Sequence, residues 1–280
     1  MKRGVNGVNI IMLGAMVRLK PRYPFFRKHR RRSNTVGYVV YTLIILLVIH
    51  LPHVALAQDG RGYLEVSGGY KTGDFGTTTR SNLYYVAPVI GYVSSTYDLS
   101  ITAPYLFLDS DSDGQAGMMN MDGGIGDIIL RAGRVIVPEG AFGFSMDGAL
   151  SLKLPTADEA KGLGTGETDY GAFLSLHQRF DKFKLSLMSG YIKTGDPSSV
   201  DYNDIFLYGI GISKMFGKTG IYSSFEGRNA LVSDARNPQE INLGFFHVLN
   251  TDYAIKGSTF VGLNDGGPDF GFNFGIIRWF

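Results

Sequence analysis

The last eleven residues of the chain, Phe270 to Phe280, decide the fold and read F-G-F-N-F-G-I-I-R-W-F. Side chains of a β-strand alternate between its two faces. The even-numbered positions are apolar apart from Arg278, whereas Gly271, Asn273 and Gly275 stand between them. This alternation, ending on an aromatic residue, predicts the closing strand of a membrane β-barrel. Arg278 either reaches a polar interface from the apolar face or marks a local bulge.

Residues 1–57 read as a secretory signal peptide with a long basic beginning. The segment holds ten of the 27 Lys and Arg residues and no acid, and an apolar run leads into Ala55-Leu56-Ala57. A basic region, an apolar region and a small-x-small site follow one another in signal peptides. We expect cleavage after Ala57; the alternative is an uncleaved membrane anchor.

The remaining chain, 58–280, is expected to be one β-barrel domain. It carries 17 basic and 25 acidic residues, a net charge of −8, so the basic pI of the whole chain comes from the leader and predicts no nucleic-acid partner. The absence of cysteine excludes disulfides and thiolate metal sites. Many glycines and aromatic residues with few charges suit a membrane barrel.

Alternating segments separated by turn signals predict about twelve strands. These segments are 64–71, 82–93, 97–107, 124–137, 142–154, 169–180, 183–194, 204–216, 220–232, 240–249, 253–264 and 270–280. Short connections near 94, 139, 181, 218 and 251 alternate with longer ones at 74–80, 109–123, 155–166, 195–201 and 233–238, and a shorter tip at 265–267. Outer-membrane barrels have an even strand number, short periplasmic turns and longer outer loops. The fold class is therefore all-β: an antiparallel up-and-down transmembrane barrel.

The polar faces of these strands supply the candidate lumen residues. They are Asp127, Arg131, Asp147, Lys153, Asp169, His177, Arg179, Glu226, Arg228 and Lys256. One hypothesis is a constriction that selects solutes by charge and size. The other is that these groups pair across strands and satisfy one another. Their mixed signs argue against strong selectivity for either ion charge.

The sequence gives weak support to a calcium site and to a lipid hydrolase. Asp109 to Gly114 begins like a calcium loop, but Asn120 stands where the bidentate acid belongs and no helices flank it, so no metal site and no cofactor are predicted. A lipid hydrolase would need a base that reaches a serine. His247 has only Ser223 on the neighbouring strand as a conceivable partner, so no catalytic residue is assigned and no enzyme is predicted.

Several motifs carry a family resemblance over roughly residues 124 to 216. They are Gly124-Ile125-Gly126-Asp127, Lys153-Leu154-Pro155-Thr156 and Leu163-Gly164-Thr165-Gly166 followed by Asp169. In this order they resemble the outer-membrane family named for the MetA pathway of phenol degradation. The resemblance implies a β-barrel of the Gram-negative outer membrane that passes small, often aromatic or apolar, compounds. A structural or adhesive barrel with a filled lumen is the alternative.

The closing strand also resembles the signal that the outer-membrane assembly machinery reads. Phe272, Phe274, Ile276 and Phe280 match its terminal aromatic residue and alternate apolar positions. The expected partners are therefore this machinery, outer-membrane lipid with lipopolysaccharide, and a small-molecule solute.

Overall fold

The computed structural model describes residues 60–75, 80–110, 121–140, 143–197 and 201–280. The predicted leader 1–57 and residues 111–114 of the candidate calcium loop lie outside these ranges. Within them the regular structure is β-strand, apart from one 3-10 turn at Glu159–Lys161. None of the helical structure in these ranges is long and apolar enough to cross a membrane.

Fourteen strands form one antiparallel sheet in the described part of the chain. They are β1 (Arg61–Gly73), β2 (Ser81–Val93), β3 (Tyr97–Thr102), β4 (Tyr105–Ser110), β5 (Met121–Ile125), β6 (Ile128–Val137), β7 (Phe144–Leu154), β8 (Asp169–Phe180), β9 (Phe183–Lys193), β10 (Ile205–Phe216), β11 (Thr219–Arg228), β12 (Gln239–Val248), β13 (Tyr253–Gly262) and β14 (Phe270–Trp279).

These strands make twelve crossings of a closed barrel, as predicted. β3 continues into β4, and β5 into β6, so each of these pairs makes one crossing. β1 pairs with β2 on one side and with β14 on the other, and this second pairing closes the sheet. Both ends of the described barrel, Arg61 and Trp279, lie at the end that carries the short turns. We call it the short-turn end and the opposite one the long-loop end.

The alternation predicted for the closing strand is present, with the aromatic residues on the outside. Phe272 and Phe274 are 50% and 53% exposed on the outer surface, whereas Gly271 and Gly275 are buried inside. Arg278 keeps the regular register, so no bulge shifts it. Its guanidinium lies 5.9 Å from the ring centre of Tyr253 and 5.1 Å from that of Phe280.

The interruption of two neighbouring crossings is not visible in the sequence pattern, which predicted continuous strands at 97–107 and 124–137. The breaks lie at 103–104 and at 126–127, at the same height in the wall. Pro104 has no N–H to donate to a ladder. Its carbonyl oxygen instead accepts a hydrogen bond from the Gly126 N–H at 2.8 Å.

The β1–β14 register can be tested by a cross-link, because the chain has no cysteine of its own. Val66 lies opposite Ile276. Directly opposed residues of antiparallel strands have Cα atoms roughly 4.5–5.5 Å apart, within disulfide range. We expect Val66→Cys with Ile276→Cys to form a disulfide under oxidation, seen as a mobility change on a non-reducing gel.

The control places the second cysteine four residues away. Phe272 lies opposite Tyr70, so Val66→Cys with Phe272→Cys should stay reduced. Equal cross-linking of both pairs would contradict the register.

Candidate channel lumen

All ten candidate lumen residues lie at inward-facing positions of the sheet. Their facing follows from the register, in which they alternate with the exposed apolar side chains of the outer surface. The structure divides them among several sites: Asp127, Lys153 and Asp169 meet in one cluster, Asp147 and His177 in a second, Glu226 and Arg228 line a shared cavity, and Arg131, Arg179 and Lys256 pair elsewhere.

Lys153 is the centre of the most buried charged cluster. Its Nζ lies 3.2 Å from Asp127 Oδ2 and 2.8 Å from Asp169 Oδ2, and it donates a hydrogen bond of 2.8 Å to Thr165 Oγ1. The three charged side chains are 4–10% exposed. Because a buried charge is costly unless it is paired, Lys153 and the two carboxylates depend on one another.

The two carboxylates also hold the loops at the long-loop end. Asp127 Oδ1 accepts a hydrogen bond from the Ala157 N–H at 3.0 Å, and Asp169 Oδ1 accepts one from the Gly195 N–H at 2.9 Å. The cluster therefore ties the barrel wall to two different loops.

The loop between β7 and β8 folds into the barrel, although the sequence predicted only a long outer connection there. Leu163 is 1% exposed and packs in an apolar cluster with Leu83, Tyr85, Leu106 and Leu108, which point inward from β2 and β4. Burying a leucine side chain contributes about 1.5–3 kcal/mol. This contact holds the loop inside the lumen.

Close approach explains two glycines of the family motifs. A Cβ on Gly124 would lie 2.7 Å from Leu163 Cδ1, and one on Gly164 would lie 2.8 Å from Asp127 Oδ2. Both contacts are shorter than real Cβ contacts, so a side chain at either position would force its neighbour to shift. The motifs therefore fit against one another as wall and loop.

Thr156 bridges the break between β5 and β6. Its Oγ1 donates a hydrogen bond to the Gly126 carbonyl at 3.0 Å and accepts one from the Ile128 N–H at 2.9 Å. The loop thus satisfies backbone groups that the interrupted ladder leaves unpaired.

Toward the short-turn end, the lumen charges pair with one another. Lys256 Nζ lies 2.6 Å from Glu65 Oε1, and both side chains are at most 10% exposed. Arg131 pairs with Asp98 rather than with Asp127 on its own crossing. At the mouth, Arg179 Nε lies 2.5 Å from Glu139 Oε1.

His177 occupies a polar network that the sequence did not reveal. Its Nε2 lies 2.9 Å from Asp147 Oδ2, and its Nδ1 lies 2.8 Å from Ser186 Oγ. The three residue types are those of a nucleophilic triad, but a serine nucleophile must also face the space that a substrate occupies. Ser186 is not among the side chains lining the adjacent cavity. We interpret the network as the mutual pairing of lumen groups.

The other candidate pair, Ser223 and His247, does not form. Ser223 lies opposite Leu243, whereas His247 lies opposite Thr219, with 2.7 Å between its Nδ1 and Thr219 Oγ1. Both are at outward-facing positions of the strands.

A cavity open to solvent fills the half of the lumen toward the long-loop end, with about 1560 Å³ of empty space including its open part. One wall comes from β4, β6 to β10 and the in-folded loop, and it is apolar apart from Ser151 and the charged cluster of Asp127, Lys153 and Asp169. Its main side chains are Leu106, Leu163, Phe173, Ile205 and Leu207. The facing wall is charged and comes from β1, β11 and β12, with Lys71, Glu226, Arg228, Glu240 and Asn242.

The charged wall differs from the rest of the lumen because its charges are not joined directly to one another. Glu226 lies opposite Glu240, and their carboxylates accept hydrogen bonds from Ser224 at 2.9 Å and Asn242 at 3.2 Å. The Lys71 ammonium lies 5.4 Å from the ring centre of Phe260. Among the described residues, no ion pair links Lys71 or Arg228 to either glutamate. All four of these charged side chains line the cavity.

Replacing Lys153 tests the central cluster. Lys153→Met leaves two buried carboxylates without their cation, and removal of one partner of a buried pair costs about 3–5 kcal/mol. We expect the free energy of unfolding, measured by urea titration of the barrel in lipid vesicles, to fall by about that amount.

Two variants control this experiment. Lys193→Gln removes the exposed partner of Asp204, 3.2 Å away, and should cost at most about 1 kcal/mol. Adding Asp127→Asn and Asp169→Asn to Lys153→Met should restore part of the loss. No recovery would show that the charges are not the cause.

Replacing Leu163 tests the docking of the loop. Leu163→Ala removes the side chain that fills the apolar cluster, at a cost of about 2–5 kcal/mol. We expect faster hydrogen exchange of the Ala157 amide, which is bonded to Asp127, with the strands unaffected. Leu263→Ala, at a leucine that is 49% exposed, should leave the exchange rate unchanged. Equal rates in both variants would contradict the docking.

Solved structures of low sequence identity share this fold. An outer membrane channel of Pseudomonas putida F1 superposes with a TM-score of 0.65 at 14% identity, covering 81% of this chain and 97% of its own. The NanC porin gives 0.51 at 10% identity, covering 77% and 98%. The KdgM porin in complex with disordered oligogalacturonate gives 0.50 at 10%, covering 79% and 99%.

A search of curated proteins finds no match. The family model described as "Putative MetA-pathway of phenol degradation" matches residues 64–279, which is nearly the whole barrel. The chain therefore belongs to the family of the putative MetA pathway of phenol degradation, as its motifs indicated.

Proposed function

We propose that the protein is an outer-membrane channel through which small apolar or aromatic compounds pass. The observation that carries the proposal is the two-walled cavity: its apolar side chains give such a solute a surface inside an otherwise charged lumen. Binding sites for small molecules are commonly apolar with a few placed polar groups. The aromatic compounds suggested by the family description fit such a surface.

The fold supports a location in the outer membrane. A closed barrel leaves no strand edge unpaired, which hydrocarbon requires. Its outer surface is a continuous band of exposed apolar residues, including Leu150, Phe206 and Phe272. With the short-turn end in the periplasm, the cavity opens toward the cell exterior.

The in-folded loop sets how wide the path is. Leu163 contributes to the apolar wall, and the Lys153 cluster anchors the loop beside it. Five of the ten sequence-predicted residues line the cavity, and of these we propose that Glu226 and Arg228, which lie outside the Lys153 cluster, contact a solute. Asp127, Lys153 and Asp169 would act by holding the loop.

We propose two further partners from the outer surface: the barrel assembly machinery and lipopolysaccharide. Phe272, Phe274 and Ile276 form an exposed apolar row on the last strand, followed by Phe280, which supports recognition by the barrel assembly machinery. The long-loop end would meet lipopolysaccharide. No step of this function needs an enzymatic reaction.

A structural barrel with a filled lumen is the second candidate, and a specific observation favours it. The in-folded loop and the paired charges toward the short-turn end occupy much of the lumen. The two functions differ in whether an apolar solute gets through.

Uptake of an apolar fluorescent dye separates the two candidates. Intact Gram-negative cells that carry the barrel should take up N-phenylnaphthylamine several-fold faster than cells without it. Leu207→Gln places a polar amide on the apolar wall and should reduce this gain, because burying an unpaired amide costs about 1–3 kcal/mol.

Leu263→Gln is the matched control, since Leu263 is exposed at the long-loop end and should leave uptake unchanged. Equal dye uptake with and without the barrel, at equal barrel content in the outer membrane, would favour the filled structural barrel.

A further inference from the structure

The charged side chains that point outward from the described strands near the short-turn end are all of one sign. Among the described strands, the charged residues at outward-facing positions of this end are Arg134, Lys214 and Arg278, and all are basic. Their outward facing follows from the register: Arg134 lies opposite Tyr97, Lys214 opposite Phe183, and Arg278 opposite Tyr253.

The three cations are evenly distributed around the barrel. They lie on β6, β10 and β14, which are every fourth of the twelve crossings. Each is within the last four residues of its strand, so all three stand near the same edge of the apolar band.

Aromatic rings fix the height of two of these cations. Lys214 Nζ lies 4.7 Å from the ring centre of Phe183 and 4.9 Å from that of Phe216. Arg278 lies between Tyr253 and Phe280 in the same way. A cation is attracted to the face of an aromatic ring, and long basic side chains keep their charged heads at the membrane interface. The charges are therefore held at the level of lipid headgroups.

Four acids at this end pair with basic partners of the lumen or the turns. Asp98 and Asp147 point inward and pair with Arg131 and His177. Glu139 and Asp252 stand in turns, where they pair with Arg179 and Arg61.

We propose that Arg134, Lys214 and Arg278 form a binding ring for anionic phospholipid in the inner leaflet of the outer membrane. The short-turn end of such barrels faces the periplasm, so its edge meets the phospholipid leaflet rather than lipopolysaccharide. A Lys or Arg near an anionic membrane surface contributes about 1 kcal/mol. This proposal is independent of what passes through the lumen.

Native mass spectrometry of the purified barrel can measure the preference. The probes are a phosphatidylglycerol and a phosphatidylethanolamine with the same acyl chains, present in equal amounts. We expect the wild type to retain phosphatidylglycerol preferentially. Arg134→Gln with Lys214→Gln and Arg278→Gln should weaken that retention by about fivefold per residue, the equivalent of 1 kcal/mol each.

Two variants make the result specific. Lys193→Gln, which removes an outward-facing cation at the opposite end, should leave the preference unchanged. Arg134→Lys with Lys214→Arg and Arg278→Lys keeps the charges and should keep the preference. Heat-modifiable gel mobility, which distinguishes a closed barrel from an unfolded chain, establishes that each variant is folded.

Two outcomes would overturn the proposal. One is equal retention of both lipids by the wild type, which would mean that the cations only reach the interface without selecting a headgroup. The other is a folded triple glutamine variant that keeps the full preference.

Discussion

The pairing of β1 with β14 is the constraint on which the structure depends. A sheet in hydrocarbon must close, because each unpaired backbone group there costs several kcal/mol. The last strand contributes more than hydrogen bonds, because its inward face is small. A Cβ on Gly275 would lie 3.3 Å from Lys256 Cε, and one on Gly271 only 2.4 Å from Phe260 Cε1. The small residues thus let Lys256 cross the last strand to reach Glu65 on the first.

Closure at twelve crossings then determines how wide the lumen is and how much of it must be filled. Eight-stranded barrels are filled by their own side chains, whereas barrels of 16–18 strands leave an aqueous channel. The present barrel has an intermediate strand number, and its lumen is divided into two parts. Paired charges fill the part toward the short-turn end, and a loop and a cavity occupy the part toward the long-loop end. The family motifs lie in the part of the lumen toward the long-loop end. Asp127 on the wall and Thr165 on the loop both contact Lys153, so these motif residues hold the wall and the loop together.

The sequence predicted what depends on strand periodicity and failed where distant segments meet. Alternation alone gave the twelve crossings and the inward facing of residues such as Lys153, because facing depends only on position within a strand. It could not show that Arg131 chooses Asp98, since that choice depends on which strands are neighbours. It missed Leu163 and Ser186 for the same reason. Leu163 looks like any apolar residue in a loop until Gly124 is seen to leave room for it.

One wall of the cavity favours apolar groups and the other favours polar groups. Together they limit the classes of solute that the channel can favour. An ion is attracted by one pair of charged groups on the wall of β1, β11 and β12 and repelled by the other, since Lys71 and Arg228 offset Glu226 and Glu240. A wholly apolar molecule leaves those groups unsolvated as it displaces water, at a cost that grows with burial. The solutes for which entry costs the least free energy are those with one apolar face and one uncharged polar edge. Leu163 sits on the side that the apolar face would contact, so the docking of the loop bears directly on selectivity.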